Sequence, residues 1–348
     1  MTSILIFTML FGCASKEEKK ISAFKKGQAF FEKGEYKAAE IEFKNALQLD
    51  PKYVEAYSEL GDTYLKLGNS KGAFQAYSIV EKLDPENIDA RLKLATFYLL
   101  GNKLTEAREK VDGVLNKEPD NIKAQYLLAG ILEREKRLNK AKSVLNKIIE
   151  LDNKQTRAYI RLSRIMVRQG KLIEAENMLK QAISIDPKAI APHLALFQFY
   201  IRNKNVDQAE TEIKRTIDAN PQNANLYIIL ANFYASQKDK HKAEETYLKA
   251  IKADPKNTTP YMVTAKFYDA SGQKDKTLSM YQKALELKSE DVRIMDAVAR
   301  FYVKHKNIEE AENTLTKILK ERPKYFPARM LKGELAIQKG EFTDAIKI

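Results

Sequence analysis

The chain has 348 residues, with 60 basic against 47 acidic side chains and a formal charge of +13, one cysteine, three histidines and no tryptophan. A single cysteine excludes an intrachain disulfide and any multi-cysteine metal site. His193, His241 and His305 lie far apart in sequence and read as lone surface residues, so no metal and no cofactor is expected. The basic excess suits either an anionic partner or a well-solvated lysine-rich surface.

Residues 1–12 contain the apolar run Ile4-Leu5-Ile6-Phe7-Thr8-Met9-Leu10-Phe11, with no charge before Lys16. The run is too short to span a bilayer, which takes about 20 helical residues, and it matches the apolar core of a secretory signal. The junction Leu10-Phe11-Gly12-Cys13-Ala14-Ser15 resembles a bacterial lipobox, which makes Cys13 the lipidation site and residues 13–19 its tether. No basic residue precedes the apolar run and Phe11 is bulky for its place, as if the true start lay upstream. Ala14, rather than aspartate, resembles the pattern of lipoproteins passed to the outer membrane. The expected location is therefore the periplasmic face of a bacterial outer membrane, held by acyl chains, more than one of which makes anchoring stable.

From Lys20 onward the sequence repeats every 34 residues without insertion or deletion. Pro51, Pro85, Pro119, Pro187, Pro221, Pro255 and Pro323 end repeats, with Asn153 and Ser289 standing where two further prolines would fall. A second ladder runs through Ala39, Ala73, Ala107, Ala141, Ala175, Ala209, Ala243, Thr277, Ala311 and Ala345. Such a period belongs to stacked helix–turn–helix units, none able to bury its apolar face alone. It overrides the two or three globular domains that length alone would suggest.

Numbering places within a repeat from Val54, repeat 2 carries Tyr57, Leu60, Gly61, Tyr64, Ala73, Tyr77 and Pro85 at places 4, 7, 8, 11, 20, 24 and 32, and repeat 7 matches with Tyr227, Leu230, Ala231, Tyr234, Ala243, Tyr247 and Pro255. This pattern resembles the tetratricopeptide repeat. It implies an all-α solenoid, a right-handed superhelix of helix–turn–helix units, with nine repeats over 20–325 and an incomplete tenth over 326–348. Places 4, 7 and 11 form the buried stripe of the first helix of each hairpin, helix A. Places 8 and 20 are small where helices A and B meet. Gly34, Gly68, Gly170, Gly272 and Gly340 sit in the A–B turn, where a positive φ suits glycine. Phe197 breaks the rule at place 8 and is expected to push its helices apart or swing toward the groove, changing the superhelical pitch near residues 190–206. In the last unit Leu331, Leu335, Ala345 and Ile346 are expected to lack cover, leaving residues beyond about 326 poorly held, as in a fragment of a longer array.

The resemblance further implies a concave groove lined by places 2, 5, 6, 9, 12 and 13 of helix A. Place 5 gives an apolar track, Leu92, Tyr126, Ile160, Leu194, Ile228 and Met262, which either contacts a ligand or packs adjacent A helices together. Arginine is the sharper signal. Arg157, Arg161, Arg164 and Arg168 recur at spacings that keep them within roughly 60° of arc on one helix face. No acidic residue occurs from Asn153 to Ile173, and Arg134 and Arg202 flank the stripe in the neighbouring repeats. Guanidinium suits planar, bidentate recognition of carboxylate or phosphate, so these six arginines form a candidate anion-binding surface. The alternative is a solvated face partly paired with Glu133. Lys266, Arg293, Arg300 and Lys304 form a second, weaker set.

The implied function is a non-enzymatic, lipid-anchored scaffold whose groove binds a protein partner, an acidic peptide or an acidic polysaccharide. Among tetratricopeptide lipoproteins it resembles those associated with exopolysaccharide export and PEP-CTERM protein sorting. The stretches that carry this are Lys33-Gly34-Glu35-Tyr36-Lys37-Ala38-Ala39 and Phe43-Lys44-Asn45-Ala46-Leu47-Gln48-Leu49-Asp50-Pro51, close behind the lipobox-like cysteine. A cytosolic adaptor or co-chaperone is a second reading, although the asparagines of the chaperone-tail clamp are largely absent, Asn232 excepted. Palmitate labelling at Cys13 separates the two. A third reading is the repeat part of a longer glycosyltransferase-type enzyme; no nucleophile–base pair or phosphate loop is legible within these residues. Nucleic acid is not expected as a partner, because most tyrosines occupy core places 4, 11 and 24 and leave few for base stacking.

Overall fold

In the computed structural model residues 15–347 are described, and within them every regular element is an α-helix. The chain divides into two compact units, residues 1–185 and 186–348. In the first, the A helices are α1 (Lys16–Glu32), α3 (Val54–Lys66), α5 (Ile88–Leu100), α7 (Ile122–Arg134) and α9 (Thr156–Arg168). They alternate with the B helices α2 (Tyr36–Leu49), α4 (Ser70–Leu83), α6 (Leu104–Leu115), α8 (Leu138–Leu151) and α10 (Leu172–Ile185). In the second, A helices α11 (Ile190–Arg202), α13 (Ala224–Ser236), α15 (Thr258–Ala270), α17 (Val292–Lys304) and α19 (Phe326–Gln338) alternate with α12 (Val206–Ala219), α14 (Lys240–Ala253), α16 (Lys274–Leu287), α18 (Ile308–Glu321) and α20 (Phe342–Lys347). Each unit is thus a solenoid of five helical hairpins. The apolar leader and Cys13 lie outside the described residues. Lys16–Lys19, read from sequence as part of a tether, form the first turn of α1, closed by a capping box in which the Ser15 hydroxyl accepts the Glu18 N–H and the Glu18 carboxylate accepts the Ser15 N–H.

Every A–B turn is the same device. The residue at place 15 takes a positive φ, between 58° and 79°, at Gly34, Gly68, Asn102, Lys136, Gly170, Lys204, Lys238, Gly272, Lys306 and Gly340. The next residue then donates its N–H back five positions, as from Glu35 to the Phe30 carbonyl and from Arg137 to the Leu132 carbonyl, both 2.9 Å. This closes orphan carbonyls at the end of helix A. Sequence reading found the glycines but not the four lysines, whose left-handed backbone costs roughly 1–2 kcal/mol each. The hydrogen bond that closes the helix imposes that conformation whatever residue occupies the place.

In the first two hairpins a glycine at place 8 makes room for the aromatic ring at place 24. A Cβ on Gly61 would lie 2.6 Å from the Tyr77 ring, and one on Gly27 the same distance from Phe43. Alanine at place 8 faces Val111 and Leu145, and also Tyr247 and Tyr281. Tyr77 is wholly buried, and its hydroxyl donates to Asp62 Oδ1 at 2.6 Å. Burial first, and then the Asp62 carboxylate, push the phenol well above its ordinary range. Phe197 neither stands in solvent nor lines a cleft: it is buried edge-on to Phe233 of α13, at 5.8 Å, with the slimmer Ile213 at place 24 of its own hairpin.

Two expectations are corrected here. Leu331 and Leu335 are 3% and 1% exposed, packed in one cluster with Leu315 and Ile318 of α18, so the preceding hairpin covers them; Ile346 lies among the residues whose side chains are not described. His193 is buried, not a surface residue. It occupies place 4, where Tyr227, Tyr261 and Gln125 each donate to the carbonyl of the proline six residues earlier. His193 makes the same bond from Nε2 to Pro187 at 2.9 Å, and its Nδ1 is held against the buried Glu212 carboxylate of α12. Because a carbonyl can only accept, Nε2 carries a proton, and a second proton joins Nδ1 to Glu212.

Candidate functional site

Helices α5, α7 and α9 run side by side and enclose a cleft of about 530 Å³. Its walls are Asp89, Leu92, Lys93, Thr96, Leu99 and Leu100 of α5, Lys123, Tyr126, Leu127 and Gly130 of α7, and Arg157 and Arg161 of α9. Each of these residues occupies place 2, 5, 6, 9, 12 or 13 of its repeat. The floor is apolar, made by Leu92, Leu99, Leu127 and the Tyr126 ring. Gly130 keeps it open, because a Cβ there would approach Leu99 Cδ2 to 3.0 Å and the Arg161 guanidinium to 3.5 Å. Place 9 is polar in every other repeat, and that exception is the sequence signal for this cleft which pattern reading missed.

The four arginines of α9 divide by role. Arg161 is largely withdrawn from solvent: its side chain is 13% exposed, Nη2 donates to Glu133 Oε1 at 2.7 Å and Nη1 to the Tyr126 carbonyl at 2.9 Å. It fastens α9 to α7, a structural role that leaves it little capacity for a ligand. Arg157 lies over the Tyr126 ring at 5.1 Å, and Tyr126 in turn donates from its hydroxyl to Gln155 at 3.2 Å. Burial, the largest influence, raises the Tyr126 phenol against the lowering effect of the two guanidiniums. Arg164 and Arg168 are exposed; among the described residues neither they nor Arg157 has a carboxylate partner, and neither lines the cleft. Arg134 is exposed and donates to Asn102 Oδ1 at 3.2 Å. Arg202 lies exposed on α11 in the second unit, so five of the six arginines belong to the first.

The apolar track is used mostly as packing. Leu92 and Tyr126 reach the cleft, Ile160 and Ile228 are buried, and Leu194 and Met262 are half-buried. The weaker basic set is largely neutralised in place. Arg293 makes a bidentate pair with Asp291, Arg300 binds Asp296 at 2.9 Å and Lys304 binds Asp269 at 2.7 Å; only Lys266 is left exposed without a carboxylate. Arg293, followed by the Arg293 backbone N–H, outweighs burial and holds the Asp291 carboxyl down at about 2. Among the described residues no group of three histidine, cysteine, aspartate or glutamate side chains could hold a metal ion, and no helix is long and apolar enough to cross a membrane.

Family models described as TPR repeat and tetratricopeptide repeat match residues 27–68, 54–87, 71–131, 103–165, 166–226, 224–257 and 299–348. The chain belongs to the tetratricopeptide repeat family. Its fold is that of a pure repeat array, of the kind that is typically a non-catalytic scaffold for proteins. No curated protein matches the sequence. Solved structures that it resembles include yeast Tom70, at 18% identity over 96% of this chain and 91% of that one with a TM-score of 0.49. Another is MamA 41-end from Desulfovibrio magneticus RS-1, at 18% identity over 51% of this chain and 99% of that one, TM-score 0.47. A tetratricopeptide repeat protein from Parabacteroides merdae ATCC 43184 aligns at 17% identity over 75% and 98% of the two chains, TM-score 0.45.

Proposed function

We propose that this protein is a non-enzymatic scaffold that captures an acidic, partly apolar segment of a partner protein in the cleft of α5, α7 and α9. One observation carries the reading: an apolar floor is rimmed by Lys123 and Arg157, cations with no carboxylate partner among the described residues. Apolar side chains of a partner would displace water from the floor, and its carboxylates would find charges that have not already been neutralised within the fold. The lipobox-like sequence around Cys13 supports attachment through acyl chains at the periplasmic face of the outer membrane. The resemblance to tetratricopeptide lipoproteins of exopolysaccharide export supports a role in assembling that machinery.

A photo-reactive residue in place of Leu127 puts a cross-linker on the floor of the cleft. In the producing cell it should capture a discrete partner. Lys123→Glu with Arg157→Glu should lower that yield at least about tenfold through like-charge repulsion, with the thermal midpoint unchanged. An undiminished yield in the doubly reversed, folded variant would sink the reading.

A further inference from the structure

The A–B turns of repeats 3, 4 and 5 form a second surface in the first unit, distinct from the cleft floor. Side chains stitch the three turns into one row: Arg134 donates to Asn102 Oδ1 at 3.2 Å, and Gln169 to Asn139 Oδ1 at 2.9 Å. The row is strongly basic. Glu135 is already bound by Arg108 and Arg137, while Lys136, Lys140, Arg168 and Lys171 are exposed without a carboxylate partner among the described residues.

Two aliphatic side chains stand on this row where the repeat has no use for them. Ile173 is 77% exposed at place 18, which is lysine, threonine, asparagine, aspartate, histidine or glutamate in the other repeats. Leu100 is 70% exposed at place 13, occupied by arginine in the next three repeats. Isolated exposed apolar residues are ordinary. Two that break the repeat pattern on the same row of turns, interspersed with cations, are not explained by packing, because each stays mostly exposed; Leu100 stands where the row meets the wall of the cleft.

We infer that the turn edge of repeats 3–5 docks on an anionic phospholipid surface, with Leu100 and Ile173 entering the headgroup–acyl boundary and Lys136, Lys140, Arg168 and Lys171 meeting lipid phosphates. A row of projecting turns with aliphatic tips between long cationic arms fits a fluid plane that can yield around each tip. The attraction is set by the surface potential of anionic lipid and fades over a Debye length. The inference is independent of acylation at Cys13, and of its residues only Leu100 also borders the cleft.

The test uses the full chain with Cys13→Ala, so that no acyl chain contributes, sedimented with large unilamellar vesicles. Vesicles of equal parts phosphatidylglycerol and phosphatidylcholine should bind it, and binding should fall as salt rises from about 0.05 to about 0.3 M. Lys140→Glu with Lys171→Glu should weaken partitioning by more than about tenfold, since each basic residue near such a surface contributes roughly fivefold. Ile173→Asn restores the residue type of Asn139 at the same place and leaves the charge unchanged; it should weaken partitioning by about fivefold. Equal binding to pure phosphatidylcholine, or to neither vesicle, would overturn the inference. So would binding of soluble polyglutamate that Ile173→Asn leaves unaltered while vesicles are ignored, an outcome that would give the edge to an acidic polymer.

Discussion

Helices α9 and α17 carry similar runs of positive charge and do opposite things with them. On α17 every cation finds a counter-charge: its N-cap Asp291 and its own Asp296 hold Arg293 and Arg300, and Asp269 of α15 holds Lys304. On α9 the helix carries no acid, so one arginine reaches across to Glu133 of α7 and the others have no carboxylate partner among the described residues. A cation cluster therefore marks a binding surface only where neither its own helix nor its packed neighbour has neutralised it. That criterion moves the candidate from Arg161 to Arg157 and its neighbour Lys123, and it sets aside the Arg293 cluster.

The largest effect that probes this contrast lies between two buried groups in the second unit. His193→Ala should destabilise by about 3–5 kcal/mol, because it strands the Glu212 carboxylate in the core. His193→Ala with Glu212→Met should recover much of that loss in a urea melt. If the single change costs no more than a surface substitution, buried charges in this fold are not held by pairing and the contrast fails.

A smaller effect belongs to the first unit. Glu133→Gln weakens a pair that is mostly withdrawn from solvent and should cost roughly 2 kcal/mol. Asp296→Asn, whose partner Arg300 is half-exposed, should cost less than about 1 kcal/mol. Equal costs in thermal melts would mean that the α9–α7 tie is no more structural than the pairs of α17.

The smallest effect appears on acidification. The folded Asp291 carboxyl is held at about 2, below its ordinary 3.8, so its contribution is complete above about pH 4 and is lost as pH falls through about 2. Asp291→Asn should remove that segment of the acid stability curve in the second unit. A wild-type curve that superimposes on the variant between pH 4 and 2 would contradict the assignment.

Much of the fold was legible because each hairpin solves the same packing problem with local means. The glycines at place 15, the small residues at places 8 and 20 and the proline at place 32 are all fixed by contacts within one repeat or with the next, whereas Asn102 and the four lysines that share the left-handed turn were not read. The six groove places came from the resemblance to the tetratricopeptide repeat, and the residues that wall the cleft fall on them. What pattern reading missed depended on specific partners. Glycine at place 9 in Gly130 is an ordinary residue until Leu99 is seen against it, and His193 reads as a stray histidine until Glu212 and the Pro187 carbonyl converge on it. Leu331 and Leu335 seemed uncovered because cover was sought from a following repeat, whereas α18 of the preceding one supplies it.

By itself the sequence determined the period and the helical hairpin, since these follow from helical geometry and local backbone chemistry repeated in register. Only the tertiary structure decided which cations remain available. Arg161 and Glu133 are 28 residues apart. The pairing of such groups depends on the rotation and spacing of packed neighbouring helices, a property that no single helix encodes.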